Sequence, residues 1–311
     1  MASAVAAEIK ARPDLGLDLV GFLEAPGSRS KGRLPAPRIG EAVEVEESVA
    51  RYRLNKLIVA LDEQRGVLPV RELLRLRTRG LEIEDARQAM SALAGRIPLE
   101  TVQATWFIFS GGFRRSRSGM ALKRCVDLAL SLLGLLFCAP LMALVAAAIP
   151  LDSPGSSLFR QLRVGYGGKP FYVLKFRTMG ADAEADGVAK WAQRDDPRIT
   201  RLGRWLRRYR LDELPQFLNV IRGEMSFVGP RPERPEFIEK LRLSIPYYDE
   251  RHTLRPGITG WAQVRYRYGA SAQDSFRKLE YDLFYLKNVG FLFDCAIVLE
   301  TARIVLLGRG R

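Results

Sequence analysis

Asp212 and Glu213 are the residues in this 311-residue chain whose types and spacing best suit chemistry. They follow a basic stripe, Arg198, Arg201, Arg204, Arg207 and Arg208, that recurs every three or four positions. On a helix this spacing makes one cationic face, with Leu202, Trp205 and Leu206 on others, and Pro215 just beyond tends to break the helix. A solvated or headgroup-facing stripe is the usual meaning of such a run. The acidic pair at its end adds another: adjacent carboxylates beside several arginines suit Mg²⁺ and a diphosphate. A carboxylate lowered in pKa by neighbouring arginines stays ionised and can attack phosphorus. Mg²⁺ would screen its repulsion from phosphate and stabilise charge on the leaving group.

Other candidates lie on either side of the pair. The segment Phe171–Met179 alternates like a strand and places Lys175 and Arg177 on one face, where two cations can grip a pyrophosphate. Gly165, Gly167 and Gly168 form the turn that leads into it. Pro230 and Pro232 fix the backbone around Arg231, whose guanidinium fork matches two phosphate oxygens. Arg255–Val264 reads as a turn into a strand. Leu279–Asn288 has helical spacing of Tyr281, Phe284, Tyr285 and Asn288, and its Asp282 is either a third acidic partner or a surface residue.

Composition narrows the chemistry. The chain carries 49 Lys+Arg against 35 Asp+Glu, a net charge of +14, so its partners are anionic, with phosphate the broad candidate. Residues 1–118 hold +4 of this charge and residues 119–311 hold +10. Cys125, Cys138 and Cys295 lie in apolar runs and read as buried, reduced thiols; three cysteines exclude a disulfide-stapled scaffold. The single His252 excludes a multi-histidine zinc site and leaves little room for a Ser-His-Asp triad, so acid–base or nucleophilic work falls to carboxylates.

These groups must be held by a framework, and three parts are visible. Residues 1–118 alternate strands (Leu17–Leu23, Leu57–Leu61, Leu81–Glu84) with a helix, Leu68–Arg79, that Gly80 stops. This predicts a small α/β layer with a parallel sheet, Rossmann-like but lacking a glycine-rich phosphate loop, in a regulatory or structural role. Gly27–Pro37 reads as an exposed loop, and Ser110–Gly119 as a basic linker at the domain boundary. Residues 119–151 contain the second part, in which Leu128–Leu151 runs for 24 residues without a charge. About 20 such residues suffice to cross the bilayer's hydrocarbon. Pro140 lies at its midpoint, and cations flank both ends: Arg114, Arg115, Arg117, Lys123 and Arg124 before it, Arg160, Arg163, Lys169 and Lys175 after it. Positive charge marks the cytoplasmic side, so the expectation is a kinked, re-entrant helix that enters and leaves one leaflet; a buried soluble core helix is the alternative. Asp127, with Lys123 and Arg124 one turn earlier, reads as a carboxylate paired at the interface or as an ordinary surface ion pair. Residues 152–311 form the third part, a mixed α+β catalytic domain.

The segments Lys123-Arg124-x-x-Asp127, the proline-containing apolar helix, FRQxRVGxxGKPF, KFRTM, ITRxGRxLRRxRLDELPQ, GEMSxVGPRPE, PGITGWAQV and YDxxYxxN occur in this order. In this arrangement residues 119–311 resemble the bacterial sugar transferase family, the monotopic polyprenyl-phosphate phosphoglycosyl transferases. The resemblance implies transfer of a sugar-1-phosphate from a UDP-sugar to undecaprenyl phosphate, with release of UMP, on the cytosolic face of the bacterial inner membrane. That reaction primes exopolysaccharide, capsule or O-antigen assembly. By the same match Asp212 would be the nucleophile that forms a phosphosugar–enzyme intermediate, and Glu213 would support it and the Mg²⁺. Lys175, Arg231 and Asp282 would by this match bind phosphate or substrate, and Arg177 of the strand and Arg208 of the stripe are expected to bind with them. Residues 1–118 look like the part that precedes the catalytic domain in larger members. The transmembrane bundle that opens those members is not visible, which implies a short form or a piece of one. The extra domain makes a homodimer plausible. The family's Ser-Pro helix break is Ala139-Pro140 here, and its Asn-Gly-Arg-Asn after WAQV is replaced by Arg265-Tyr266-Arg267-Tyr268. A membrane-attached nucleotide- or lipid-binding scaffold without turnover is the competing reading, but a pure anion binder gains nothing from an acidic pair. Nucleic acid is not an expected partner, because charge alone suggests it and an uncharged 24-residue segment serves no such role.

Overall fold

The computed structural model describes residues 1–25, 35–61, 68–101, 107, 111–113, 116–180, 183, 196–266, 269 and 271–308. The expected loop at Gly27–Pro37, except for its last three residues, lies outside this set, as do Ser110, Arg114, Arg115 and Arg267. The chain divides into two compact units, Met1–Ile108 and Phe109–Arg311.

In the first unit the elements are α1 (Ala2–Ala11), β1 (Phe22–Glu24), β2 (Arg38–Glu41), α2 (Val45–Tyr52), β3 (Lys56–Val59), α3 (Val70–Thr78), β4 (Glu82–Asp85) and α4 (Ala86–Ala94). The strands pair in parallel, β1 with β2 and β3 with β4, as two separate two-stranded sheets. Of the apolar run at Leu17–Leu23, only Phe22 and Leu23 lie in a strand, because Leu17 and Leu19 pack against a cluster of Val5, Ile9, Ala86 and Leu93 from α1 and α4. A second cluster gathers Val45, Leu73, Leu76 and Leu81, so α3 buries the one face that its leucine spacing marks. Asp85 ends β4 and caps α4 by accepting from the Arg87 amide at 2.8 Å.

The second unit opens with α5 (Arg117–Asp152), 36 residues long, capped by Ser116, which accepts from the Gly119 amide. It is one continuous helix containing Pro140 and Pro150. It is long and apolar enough to cross a membrane, with a mean hydropathy of 2.5 over its most apolar window. Its buried residues are few and mostly polar or β-branched: Asp127, Ser131, Val145 and Ile149. Gly134 also faces inward, since a Cβ there would lie 2.8 Å from the Phe217 ring. The large residues point out, Leu136 at 69% and Phe137 at 76% exposed, with Leu132, Leu133, Leu141 and Leu144 beside them. A soluble core helix buries such residues, so this pattern disfavours that alternative.

Beyond α5 come β5 (Leu158–Val164) and β6 (Pro170–Phe176), an antiparallel hairpin closed by Gly165–Lys169. Then follow α6 (Arg201–Arg208), a 3₁₀ turn at Leu211–Glu213, α7 (Gln216–Arg222), β7 (Ser226–Val228), α8 (Pro235–Ser244), a 3₁₀ segment at Tyr248–Thr253 and β8 (Gly257–Thr259). The chain continues with α9 (Trp261–Arg265), α10 (Ala272–Lys287) and α11 (Phe291–Leu306), and β7 pairs in parallel with β8. The strand expected after Arg255 is three residues long and turns into α9 at Trp261. Arg198 lies outside the stripe's helix, which starts at Arg201; it pairs instead with Asp196 at 2.6 Å. The cysteines are not buried: Cys125 is exposed, and Cys138 and Cys295 are half-exposed on α5 and α11. Both helices turn apolar side chains outward, so apolar context there does not mean interior position.

Candidate active site

Asp212 and Glu213 sit in the 3₁₀ turn after α6, and both are buried. The stripe helix ends before them, at Arg208, and Arg210 then adopts a left-handed φ of 52° that turns the chain sharply. A non-glycine residue held there stores strain of about 1 kcal/mol or more, a feature often found at functional sites. Pro215 stands at the cap of α7 and so starts the next helix; it does not end the stripe.

Three elements deliver cations to the pair. Lys175 on β6 reaches Glu213 Oε1 at 3.4 Å. Its strand is an edge strand, and Asn219 of α7 stands in for a missing neighbour: its Oδ1 accepts from the Leu174 amide at 3.0 Å, and its Nδ2 donates to the Tyr172 carbonyl at 2.7 Å. Arg231 donates from Nη1 to Glu213 Oε1 at 3.0 Å while its side chain remains 42% exposed, leaving guanidinium surface for a ligand. Arg207 binds Thr178 Oγ1 at 2.8 Å and directs its charge toward Asp212. This needs close packing of α6 on the end of β6, and Gly203 permits it, since a Cβ there would run into the Thr178 carbonyl. Lys175 and Arg231, with Arg163, Val173, Gln216, Pro232 and Gly257, line a small pocket.

The loop carrying Arg231 is tied from two sides. Arg163 donates to the Pro232 carbonyl at 3.1 Å. Arg251 donates to the Arg231 carbonyl at 2.9 Å, to Asp282 Oδ2 at 2.8 Å and to the Tyr248 hydroxyl at 2.7 Å, all in the interior. Asp282 is therefore no surface residue. It is the buried counter-charge of Arg251, which in turn holds the Arg231 backbone. Burial pushes its carboxyl up to about 6 against the pull of Arg251, so it is ionised at neutral pH.

Electrostatics divide the acidic pair in a way opposite to the expectation. Burial, and next the charge of Glu213, raise Asp212 above the usual carboxylate range. Burial also acts on Glu213, but Arg231, Lys175 and Arg210 outweigh it and hold Glu213 well below that range. Arg231 and Lys175, which hydrogen-bond Glu213, and the charge of Arg210 thus ionise it, and Asp212 is the carboxyl that more readily keeps a proton. Burial lowers Lys175 to about 8.

The structure brings Lys175, Asp212, Glu213 and Arg231 together. Arg177 and Arg208 are used elsewhere. Arg177 donates to the carbonyls of Ser153, Pro154 and Gly155 and closes the C-terminal end of α5. Arg208 is exposed and donates to the Gly308 carbonyl at 3.3 Å. Gln263 is a site residue that pattern reading passed over: its Oε1 accepts from Arg231 Nη1 at 3.0 Å. Its one sequence signal is a polar residue buried between the apolar Ala262 and Val264.

Lys123, Arg124 and Asp127 fasten α5 to the domain. Lys123 donates to Asp294 at 2.7 Å and to the Val228 carbonyl at 3.0 Å. Asp127 is buried and accepts from Ser226 Oγ at 2.7 Å and the Phe227 amide at 3.0 Å, so it is no ordinary surface pair. Arg124 donates to the Val220 and Ile221 carbonyls at the end of α7. The other end of α5 is held too: Val145 and Ile149 pack with Phe176 and Leu206, and Ser157 donates to the Ala146 carbonyl.

Known proteins share this part of the chain. The model of the family described as bacterial sugar transferase matches residues 118–308. An Aeromonas hydrophila UDP-N-acetylgalactosamine-undecaprenyl-phosphate N-acetylgalactosaminephosphotransferase is 40% identical over 224 residues, covering 72% of this chain and 52% of that protein. A UDP-glucose:undecaprenyl-phosphate glucose-1-phosphate transferase of Escherichia coli K12 is 44% identical over 182 residues, 58% of this chain and 39% of that protein. The enzyme of the same name from Caulobacter vibrioides is 48% identical over 182 residues, 58% of this chain and 67% of its own length. The chain thus spans about half the length of the Aeromonas relative and less of the E. coli one. With the family model covering the helix, the acidic pair and the Arg231 loop, the chain belongs to the bacterial sugar transferase family.

Proposed function

We propose that this protein transfers a sugar-1-phosphate from a UDP-sugar to undecaprenyl phosphate and releases UMP. The observation that carries the reading is the buried Asp212–Glu213 pair in which Glu213 accepts the hydrogen bonds of Lys175 and Arg231, leaving its neighbour able to react. The names of the relatives describe this transfer with glucose or N-acetylgalactosamine and support it.

In the first step an Asp212 carboxylate oxygen attacks the phosphorus that bears the sugar. An O–P bond forms, the P–O–P bond breaks, and UMP departs with the electron pair. In the second step a phosphate oxygen of undecaprenyl phosphate attacks the same phosphorus and Asp212 leaves as a carboxylate. Asp212 attacks as a carboxylate, and its raised pKa shifts the acid limb of kcat/KM to higher pH than an ordinary carboxylate would give. Lys175 and Arg231 balance the diphosphate charge, and Arg163 and Arg251 keep the Arg231 loop rigid.

The acidic pair fits Mg²⁺. Glu213 Oε2 is buried without a hydrogen-bond partner, an acceptor suited to a cation. Among the described residues no cluster of three or more His, Cys, Asp or Glu could hold a metal by itself. That suits an ion that takes one or two carboxylates and completes its shell with phosphate oxygens and water. Bound there, Mg²⁺ would offset charge on the transferring phosphate and on departing UMP.

The membrane reading rests on α5. One domain grips both ends of this apolar helix, at Lys123–Asp127 and at Val145–Ile149. This supports a re-entrant path that enters and leaves the cytosolic face of the inner membrane, with Pro140 at its turning point. Residues 1–118 take a regulatory or structural role, and a homodimer is their natural setting.

The test is UMP release from a panel of UDP-sugars by purified protein in lipid nanodiscs. Release that requires both undecaprenyl phosphate and Mg²⁺ is expected, with Asp212→Asn inactive and correctly folded. Normal turnover by Asp212→Asn would remove the nucleophile assignment.

A further inference from the structure

We propose that Gln263 is a direct ligand of the diphosphate, its side-chain NH₂ donating to an anionic phosphoryl oxygen beside Arg231. The inference rests on the transferase reading and deepens it by one contact.

The amide's orientation follows from its neighbour. Arg231 Nη1 can only donate, so the Gln263 atom at 3.0 Å from it is the oxygen. The NH₂ group then points away from Arg231. It is buried and has no hydrogen-bond partner in the protein. A buried, unpaired donor costs about 1–3 kcal/mol, which an interior repays only when something fills it. Crowding has not pushed this side chain aside, because α9 is pinned: the Gln263 backbone N–H donates to the Gly260 carbonyl at 2.9 Å, and Trp261 packs edge-to-face on Phe293 at 4.9 Å.

The same guanidinium nitrogen has a second partner with the complementary defect. Arg231 Nη1 also donates to Glu213 Oε1 at 3.0 Å, and Glu213 Oε2 is likewise buried and unpartnered. One nitrogen thus joins a carboxylate whose second oxygen has no partner and an amide whose NH₂ has none. A cation-bound diphosphate supplies both at once. A neutral ligand oxygen would satisfy Gln263 but would waste the charge of Arg231 and Lys175, which stand at the same place.

Two variants separate ligand binding from mere support of Arg231. Gln263→Glu keeps an oxygen for Arg231 and replaces only the donor; Gln263→Met removes both. Binding of UDP and of inorganic pyrophosphate, each with Mg²⁺, is measured by calorimetry at a temperature well below the melting point of each variant. Both variants are expected to bind both probes about 10- to 100-fold more weakly than the unmodified protein, the range for a hydrogen bond to a charged group. If Gln263→Glu binds as tightly as the unmodified protein while Gln263→Met does not, Gln263 only supports Arg231 and the inference is overturned. Weakening confined to UDP moves the contact to the nucleoside and overturns it as well. If the unmodified protein binds neither probe, the transferase reading itself fails, an outcome distinct from the other two.

Discussion

Asp282→Asn should cost stability first and activity second. The substitution preserves shape and one acceptor but removes the only negative charge that Arg251 contacts in this network; its other partners are the Tyr248 hydroxyl and the Arg231 carbonyl. Both ends of the 2.8 Å ion pair are buried, with side chains only 6% and 2% exposed, so water cannot replace the lost partner. Breaking such a pair from one side costs about 3–5 kcal/mol, and the retained amide oxygen puts the expectation at about 3 kcal/mol. For a unit the size of Phe109–Arg311 that lowers the melting temperature by roughly 6–12 °C. Scanning fluorimetry in nanodiscs reads this directly. The double variant Arg251→Met/Asp282→Leu should recover most of the stability, since an apolar pair of similar volume often replaces a buried ion pair without loss. It should not recover turnover, because the tether on the Arg231 carbonyl is gone. An Asp282→Asn protein that melts like the unmodified one yet loses UDP binding would refute this reasoning and return Asp282 to the ligand role that the resemblance implies.

Four further outcomes follow from the site's framework. Lys175 carries a pKa lowered to about 8, so kcat/KM should fall as pH rises through that value, and Lys175→Arg should move the alkaline limb upward. The folded state binds this proton less tightly than the unfolded chain, so the group's contribution to stability grows between pH 8 and 10.5, a trend that Lys175→Met should abolish in melting curves. Asn219→Leu leaves the buried Leu174 amide unpaired and should cost about 1–3 kcal/mol in denaturant titration, with a raised KM as the Lys175 strand loosens. Gly203→Ala forces α6 off the Thr178 carbonyl, an overpacking cost of about 1–3 kcal/mol, and should lower kcat because Arg207 moves with the helix.

What pattern reading reached, and what it missed, follow from the range of the interactions. The apolar helix and the grouping of Lys175, Asp212, Glu213 and Arg231 were legible, because each rests on a local run of a few residues whose types speak for themselves. Arg177 was misplaced because alternation places a side chain on a face without saying which carbonyls stand opposite. Those of Ser153–Gly155 lie more than 20 residues back in sequence. The role of Asp282 depends on Arg251, 31 residues earlier in a segment with no motif of its own. The ionisation of the acidic pair was inverted because adjacency in sequence treats both carboxyls alike. Burial and hydrogen bonding distinguish them, and both are tertiary properties.

The two-ended grip on α5 has a consequence for biosynthesis. Lys123 leaves the ribosome 171 residues ahead of Asp294, the carboxylate it finally bonds, and Asp127 leads Ser226 by 99. At about 5–20 residues per second, the helix waits roughly 10–30 s for its last partner. For that interval its leucine face, its unpaired lysine and its carboxylate are displayed on a nascent chain with no domain to fold against. On the proposed membrane reading, the lipid surface receives the helix before the second unit is complete, and that unit then assembles around an element already in place. Deleting residues 117–152 to make a soluble fragment is then expected to destabilise what remains, because Lys123, Arg124 and Asp127 would no longer hold Asp294, the end of α7 and Ser226.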